Sequence, residues 1–166
     1  AIKLEPSDLG YQENKNKILS VIETFEHIKR GDLMESDLDD NFAGFSWEKA
    51  EDLVGKLFEK KNYTVTVGVP TASGGIKRQG DFGIDVEAKN DKEYLGIQVK
   101  HWSNDIGFED VAKTLGVAQK FNKVIIVSTK SGFTSQARAH AMDNPYLIEL
   151  WDSNRFKEEL RQHILK

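Results

Sequence analysis

Apolar residues recur every three or four positions in several stretches of the chain, the spacing that places them on one face of an α-helix. The strongest such stripe follows Ser46, a residue type favoured at helix N-caps, and consists of Trp47, Ala50, Leu53, Val54, Leu57 and Phe58. The pattern predicts helices over residues 11–30, 46–61, 108–121, 134–142 and 153–165. Gly31 follows the first of these helices and Pro145 follows the fourth, which supports both ends.

Shorter segments alternate apolar and polar residues with a period of two, which indicates β-strands with one buried face. These segments predict strands over residues 64–67, 83–88, 93–100, 123–128 and 146–150. Within the fourth strand, residues 124–127 are all apolar, which favours a central or parallel position in a sheet. The resulting order, α-β-β-β-α-β-α-β-α, predicts an α/β protein in which helices flank a mixed sheet.

Composition and charge divide the chain into two parts. The 166 residues are 39% hydrophobic, which suits one globular domain with an appendage. Residues 1–45 carry ten acidic and five basic residues, whereas residues 46–166 carry seventeen and eighteen. We therefore predict a helical, acidic extension over 1–45 and a main domain over 46–166 whose charge balance permits a basic face. The chain contains no cysteine and no long apolar run, which favours a cytoplasmic protein without a membrane span.

Two neighbouring predicted strands carry polar side chains that an ordinary sheet would not bury. Asp85 lies in one strand, and the next strand carries Gln98 and Lys100. Because side chains alternate along a strand, Gln98 and Lys100 point to the same face, beside the strand that carries Asp85. Glu51 adds a second acid at the edge of the apolar stripe of the second predicted helix. We expect these four side chains to form one site.

The chemistry of this set suits the hydrolysis of a phosphodiester. Two carboxylates and an amide oxygen fit Mg²⁺, a hard cation that prefers oxygen ligands and retains several waters. Glu51, Asp85 and Gln98 are therefore the predicted metal ligands, and Mn²⁺ is expected to substitute for Mg²⁺. The cation would lower the pKa of a bound water, and Lys100 would stabilise the negative charge that develops at the phosphate. The competing interpretation is an exposed strand face with a simple ion pair.

Several motifs stand in the order and spacing of a known family, namely Ala50-Glu51-Asp52-Leu53-Val54, Gly80-Asp81-Phe82-Gly83-Ile84-Asp85, Gln98-Val99-Lys100-His101-Trp102 and Gly132-Phe133-Thr134-Ser135-Gln136-Ala137-Arg138. Over roughly residues 45–150 the chain resembles the Mrr-type restriction endonucleases, a branch of the PD-(D/E)xK nuclease superfamily. The resemblance implies a restriction-endonuclease-like fold and a Mg²⁺-dependent DNA endonuclease that restricts foreign, including methylated, DNA. It also implies catalytic roles for the four residues of the predicted site, with Gln98 replacing the superfamily's usual second acid. Asp81 is expected to be a turn residue or to support the ligands.

Candidates for DNA contact lie outside the predicted metal site. They are Lys77 and Arg78 in the glycine-rich loop, His101, and the group Lys130, Ser131, Thr134 and Arg138 around a predicted helix N-terminus. The competing interpretations are a plain surface loop for the first pair and an ordinary helix cap for Thr134. Trp102 is expected to pack against the protein rather than stack on a base.

Cleavage of both DNA strands needs two active sites, so we expect a homodimer or a larger restriction complex. The sequence leaves two alternatives open. One is a structure-specific nuclease such as a Holliday-junction resolvase, and the other is a non-cleaving DNA-binding or assembly module of the same fold. No Walker phosphate-binding loop is present, so an ATP-driven motor would have to come from another polypeptide or domain.

Overall fold

The structure, a computed structural model, describes residues 6–70, 76–77 and 83–165. It divides into two compact units, Ala1–Glu35 and Ser36–Lys166. The first unit contains helix α1 (Pro6–Arg30), which confirms the helix predicted over residues 11–30 and begins earlier. Gly31, with a φ of +67°, follows its last residue. Of the helices in the described residues, none is long and apolar enough to cross a membrane.

The second unit is built on a mixed sheet. Its helices are α2 (Glu35–Asp39), α3 (Trp47–Lys60), α4 (Phe108–Leu115), α5 (Ser135–Met142) and α6 (Ser153–His163). The strands are β1 (Thr64–Val67), β2 (Val69–Pro70), β3 (Ile76–Lys77), β4 (Val86–Lys89), β5 (Tyr94–Lys100), β6 (Lys123–Ser128) and β7 (Ile148–Trp151). The five-stranded sheet has the order β1-β4-β5-β6-β7, and β2 pairs with β3 in a separate ribbon. The pairs β1–β4 and β4–β5 are antiparallel, whereas β5–β6 and β6–β7 are parallel. This arrangement confirms the predicted α/β fold with helices around a mixed sheet.

Helices cover both faces of the sheet. On one face, α3 contacts β1, β4 and β5, and α6 contacts β6 and β7. Phe58 of α3 stacks there on Trp151 of β7, with 5.5 Å between the ring centroids. On the other face, α4 and α5 pack against each other and bury a core that includes Val111, Val124 and Ile126. All four residues 124–127 are buried, which confirms the prediction of a buried parallel strand.

Local sequence signals set several element boundaries. The side-chain oxygens of Ser46 and Thr134 accept the N–H groups of Lys49 and Ala137, which confirms both predicted helix starts. Other boundaries differ from the prediction. The helix predicted over 108–121 stops at Leu115 with Gly116 at its C-cap, and a short 3₁₀ turn, Ala118–Lys120, follows. The strands predicted from residues 83 and 146 begin at Val86 and Ile148, and the last helix ends at His163 rather than residue 165.

The second unit begins earlier than residue 46, the predicted start of the main domain. Leu38 of α2 and Phe42 are only 0% and 1% exposed, so packing assigns them to this unit. Asn41 and Phe42 both have left-handed backbone conformations, with φ of +55° and +57°. The Asn41 amide donates to the carbonyl of Lys130 over 2.9 Å. Charge alone placed these residues in the acidic extension, because their few apolar side chains are scattered among carboxylates.

Candidate active site

The regular ladder between β4 and β5 ends at the pair Val86 and Ile97. Asp85 lies immediately beyond it. Its backbone N–H donates to the carbonyl of Ile97 over 2.9 Å, and its side-chain Oδ2 accepts the N–H of Val99 over 2.7 Å. A carboxylate oxygen therefore takes the place that a backbone carbonyl would occupy in a continued ladder. This bond fixes the orientation of Asp85 at the end of the strand.

The four residues of the predicted site lie on one cavity of about 490 Å³, lined by Trp47, Glu51, Gly83, Asp85, Gln98, Val99, Lys100, His101 and Trp102. Three of its polar side chains are almost fully buried: Glu51 is 2% exposed, Asp85 6% and Gln98 8%. Other cavities of the protein are of similar size, so volume does not distinguish this one. What distinguishes this cavity is that the buried side-chain oxygens of Glu51, Asp85 and Gln98 line it together with Lys100.

Glu51 reaches the cavity from α3, whose other inward-facing residues pack on the sheet. The sequence placed Glu51 at the edge of the apolar stripe, and the structure buries it within that face. Removing a carboxylate from water is costly unless a hydrogen-bond donor, a cationic side chain or a metal ion compensates for it. A buried acid that lines the same cavity as Asp85 is therefore a suitable metal ligand.

Helix α4 holds the two polar residues of β5. The hydroxyl oxygen of Thr114 lies 2.7 Å from Gln98 Oε1. One turn earlier, the carboxylate of Asp110 pairs with Lys100, with 3.4 Å between Oδ1 and Nζ. The Lys100 ammonium also lies over the ring of Trp102, 4.1 Å from its centroid. Trp102 thus contacts the predicted catalytic lysine, while 47% of its surface stays exposed.

The donor set fits a hard divalent cation. Glu51 and Asp85 supply carboxylates and Gln98 supplies an amide, which are ligand types that Mg²⁺ accepts while it keeps several waters. A carboxylate has about four lone-pair sites, so Asp85 can accept the Val99 N–H and still bind a cation. Among the described residues, no group of three or more His, Cys, Asp and Glu side chains could hold a metal ion. The predicted set has only two such residues, Glu51 and Asp85, because Gln98 is an amide. Asp81 lies outside the described residues.

His101 is held inside the protein. Its Nε2 lies 2.8 Å from the carbonyl oxygen of Phe45, and its Nδ1 lies 2.6 Å from the hydroxyl of Thr129. Because a carbonyl only accepts, Nε2 carries the proton, and the neutral ring accepts from Thr129. Burial lowers the pKa of His101; the bond to Phe45 opposes this, and the charge of Lys130 adds to it. Both ring nitrogens are engaged, so these contacts do not favour the predicted DNA contact.

The other residues predicted to contact DNA differ in their exposure and in whether they already have partners within the protein. Ser131 donates its hydroxyl to the carbonyl of Asn104 over 2.8 Å, and Thr134 caps α5, so both have structural partners. Lys130 is half-buried and Arg138 is exposed. Lys77 lies in β3, whereas its side chain and the whole of Arg78 fall outside the described residues. Contact of this group with DNA stays a prediction.

Three residues that the sequence interpretation did not single out shape the site. Thr114 and Asp110 are four residues apart on α4, so they share a helix face that contacts β5. Gly83 has a φ of +84°, and a Cβ added there would lie 2.4 Å from Gln98 Nε2. The sequence offered two signals. Asp110 and Thr114 form a polar pair at helical spacing after the strand that carries Gln98 and Lys100, and Gly83 stands two residues before Asp85.

Two buried acids, Glu51 and Asp85, lie with Lys100 where β4 and β5 separate. This arrangement on a mixed sheet flanked by helices is that of the restriction-endonuclease-like nucleases. Residues 42–160 match the family model Mrr_cat, described as restriction endonuclease. This match spans more than half of the sequence, so the chain belongs to the Mrr-type restriction endonuclease family.

Solved structures share the fold at low sequence identity. "Protein of Unknown Function AF1548" has a TM-score of 0.56 and 17% identity over 70% of this chain and 66% of that one. "DNA modification-dependent restriction endonuclease AspBHI" has a TM-score of 0.51 and 15% identity over 68% of this chain. "MspJI Restriction Endonuclease in Complex with 27-mer Oligonucleotide" has a TM-score of 0.54 and 17% identity over 80% of this chain. The aligned region covers only 30% of AspBHI and 33% of MspJI. Among curated proteins, none matches this sequence closely enough to indicate a relationship.

Proposed function

We propose that this protein is a metal-dependent DNA endonuclease that hydrolyses phosphodiester bonds in the restriction of foreign DNA. The observation that carries the proposal is the convergence of Glu51, Asp85, Gln98 and Lys100 on one cavity, from α3, from the segment just before β4 and from β5. Membership of the Mrr-type family supports cleavage as the reaction. The specific roles below rest on the chemistry of the side chains.

Glu51, Asp85 and Gln98 would hold Mg²⁺, and Mn²⁺ would substitute for it. When bound, the cation would supply an activated water and neutralise charge on the scissile phosphate. Lys100 would place its ammonium beside the phosphate and stabilise the negative charge that develops there. Asp110 and Trp102 hold that ammonium at the cavity. Both contacts orient the lysine at the cavity.

DNA as the substrate is supported by the solved complex of MspJI with a 27-mer oligonucleotide, whose fold this chain shares. Lys130 is close enough to His101, which lines the cavity, to lower its pKa. We assign Lys130 to contact with the DNA backbone, since a lysine near a reactive phosphate supplies non-specific affinity. Substrate preference for methylated DNA is a further part of the proposal, since AspBHI is a modification-dependent enzyme.

The decisive experiment incubates the purified protein with supercoiled plasmid, methylated or unmethylated, in Mg²⁺, Mn²⁺ or EDTA. Lys100→Ala is tested beside Lys92→Ala, a matched control, because Lys92 is an exposed lysine in the β4–β5 turn and does not line the cavity. We expect metal-dependent nicking or linearisation that Lys100→Ala loses and Lys92→Ala retains. Comparing the two plasmids shows whether methylation controls cleavage.

The same experiment separates the alternatives. Cleavage of four-way junctions in preference to linear duplex would favour a resolvase. DNA binding without cleavage in any metal would overturn the nuclease proposal in favour of a binding or assembly module. Sedimentation of the protein with and without DNA tests the homodimer, which double-strand cleavage needs and nicking does not.

A further inference from the structure

Thr114 is the buried neighbour of a predicted metal ligand. It lies on α4 with 0% of its surface exposed. Its hydroxyl oxygen is 2.7 Å from Gln98 Oε1 and 2.9 Å from the backbone carbonyl oxygen of Asp110. Both of these partners, in that orientation of the amide, are hydrogen-bond acceptors.

A hydroxyl carries one proton, so Thr114 can direct that proton fully at only one of its two acceptors. The bond to the carbonyl of Asp110, four residues earlier in the same helix, is the usual back-bond of a helical threonine, and a carbonyl can only accept it. With the Thr114 proton on the Asp110 carbonyl, the bond between Thr114 and Gln98 takes its proton from the Gln98 amide. An amide can do so after a rotation of 180° about its last bond, which exchanges the positions of oxygen and nitrogen and leaves the side-chain shape unchanged.

This exchange changes what Gln98 presents to the cavity. The terminal atom that faces away from Thr114 lies against Gly83, where an added Cβ would be 2.4 Å from it. Gly83 and Asp85 line the same cavity as Gln98. With Nε2 bound to Thr114, the atom on that side becomes Oε1, an oxygen beside Gly83 at the cavity.

We propose that Thr114 is a positioning residue that holds the Gln98 amide with its oxygen towards the metal site. The proposal rests on the proposed function, because it gives the oxygen of Gln98 a cation to bind. In this arrangement the Gln98 N–H donates to the Thr114 hydroxyl, and that hydroxyl donates to the Asp110 carbonyl, so each donor has one acceptor. A glutamine would otherwise present oxygen or nitrogen equally well, whereas a carboxylate in its place would present oxygen in either orientation. An amide ligand therefore needs a partner such as Thr114, and an acidic one does not.

Asp110 contacts both Thr114 and the proposed catalytic lysine. Its backbone carbonyl receives the Thr114 proton, while its carboxylate pairs with Lys100. One turn of α4 therefore positions both Gln98 and Lys100, the two site residues of β5. This is consistent with the register of β5, in which the two side chains share the face that α4 covers.

Mn²⁺ affinity without DNA tests the inference, measured by calorimetry on wild type, Thr114→Val and Thr114→Ser. Valine keeps the shape of threonine and removes the hydroxyl, whereas serine keeps the hydroxyl. We expect Thr114→Val to raise the Mn²⁺ dissociation constant about 10-fold, the lower end of the effect of outer-shell partners on metal affinity. Thr114→Ser should restore most of the affinity. Urea unfolding of each variant identifies any loss that comes from the fold.

A double-mutant cycle isolates the route through Gln98. In a Gln98→Ala background, Thr114→Val should have no further effect on Mn²⁺ affinity, because the group it positions is gone. Equal affinity of wild type and Thr114→Val would overturn the positioning role while leaving the nuclease proposal intact. An unchanged effect in the Gln98→Ala background would also overturn it. Failure of the wild type to bind Mn²⁺ or to cleave DNA would instead remove the proposed function itself, and the inference with it.

Discussion

The Oδ2 atom of Asp85 accepts the backbone N–H of Val99 over 2.7 Å, directly beyond the last ladder pair of β4 and β5. The proposed metal ligand is therefore also a structural group of the sheet. The bond satisfies a donor that the ended ladder would leave without a strand partner, and it fixes the carboxylate beside the cavity. Structure and chemistry of Asp85 can nevertheless be separated by substitution.

Asp85→Asn and Asp85→Ala should differ in stability and agree in activity. Asparagine keeps a side-chain oxygen that can accept from Val99, so its urea-unfolding free energy should stay near that of wild type. Alanine leaves the Val99 N–H without this acceptor, which costs about 1–3 kcal/mol when such a group is buried. Both variants remove a charged ligand, and we expect each to lower plasmid cleavage at least about 100-fold. Full cleavage by Asp85→Asn would show that this carboxylate does not bind the metal.

Gly83→Ala should damage both the backbone and Gln98. The φ of +84° is unfavourable for any residue with a Cβ, by roughly 1–2 kcal/mol. The new methyl group would also come within 2.4 Å of the terminal amide atom of Gln98 that faces Gly83, so the amide would have to move. We expect a loss of unfolding free energy of about that size and weaker Mn²⁺ binding, measured by urea titration and calorimetry.

Gly44→Ala is the matched control for Gly83→Ala. A Cβ at Gly44 meets nothing within 4 Å, and its φ is not in the left-handed region. Its Mn²⁺ affinity and stability should stay close to those of wild type. An equal response of the two variants would mean that the contact between Gly83 and Gln98 has no part in the site.

The sheet and the grouping of the four predicted site residues on one cavity could be predicted because both depend on local patterns. The run at residues 124–127 indicated a buried parallel strand, and alternation in β5 placed Gln98 and Lys100 on one face. The neighbouring strand supplied Asp85 and the edge of the apolar helix stripe supplied Glu51, and the motif resemblance matched both. Each of these inferences needs only the neighbouring residues or a familiar spacing.

The parts that the sequence did not predict depend on contacts between distant residues. Thr114 reaches Gln98 across 16 positions, and His101 reaches Phe45 across 56. The charge pattern placed Phe42 in the acidic extension, although its side chain packs against Phe156 with 5.4 Å between the ring centroids. Such contacts form only after the helices pack on the sheet, so local periodicity alone does not identify the partners.

Trp102 is expected to affect catalysis through Lys100. Its ring lies 4.1 Å from the Lys100 ammonium, and cation–π contacts at partly exposed sites contribute about 0.5–1 kcal/mol. Trp102→Ala should therefore lower the cleavage rate about 2- to 5-fold without changing Mn²⁺ affinity, because the metal ligands are untouched. Trp102→Phe keeps an aromatic face and should lose less. A much larger loss in both variants would indicate that the indole contacts DNA directly.

His101 should make the folded state less stable in mild acid. Its neutral ring accepts from Thr129 and donates to Phe45, and burial holds its pKa below the ordinary 6.5. As the pH falls below about 6.5, the unfolded chain takes up a proton at this histidine before the folded protein does. The unfolding free energy therefore falls with pH in this range, until the pH drops below the folded-state pKa.

Urea unfolding at pH 7.5 and pH 5.5, on wild type and His101→Gln, measures this contribution. Glutamine keeps one donor and one acceptor for Phe45 and Thr129 but does not titrate. Burial raises the pKa of Glu159, but its bonds to Lys61 and Arg155 lower it more. The stability that Glu159 contributes is therefore also lost as the pH falls, but Glu159 is present in both proteins. We expect the wild type to lose more unfolding free energy than His101→Gln between the two pH values. Equal losses would mean that His101 binds a proton as readily in the folded protein as in the unfolded chain, which would make its ring available as a cationic contact for DNA.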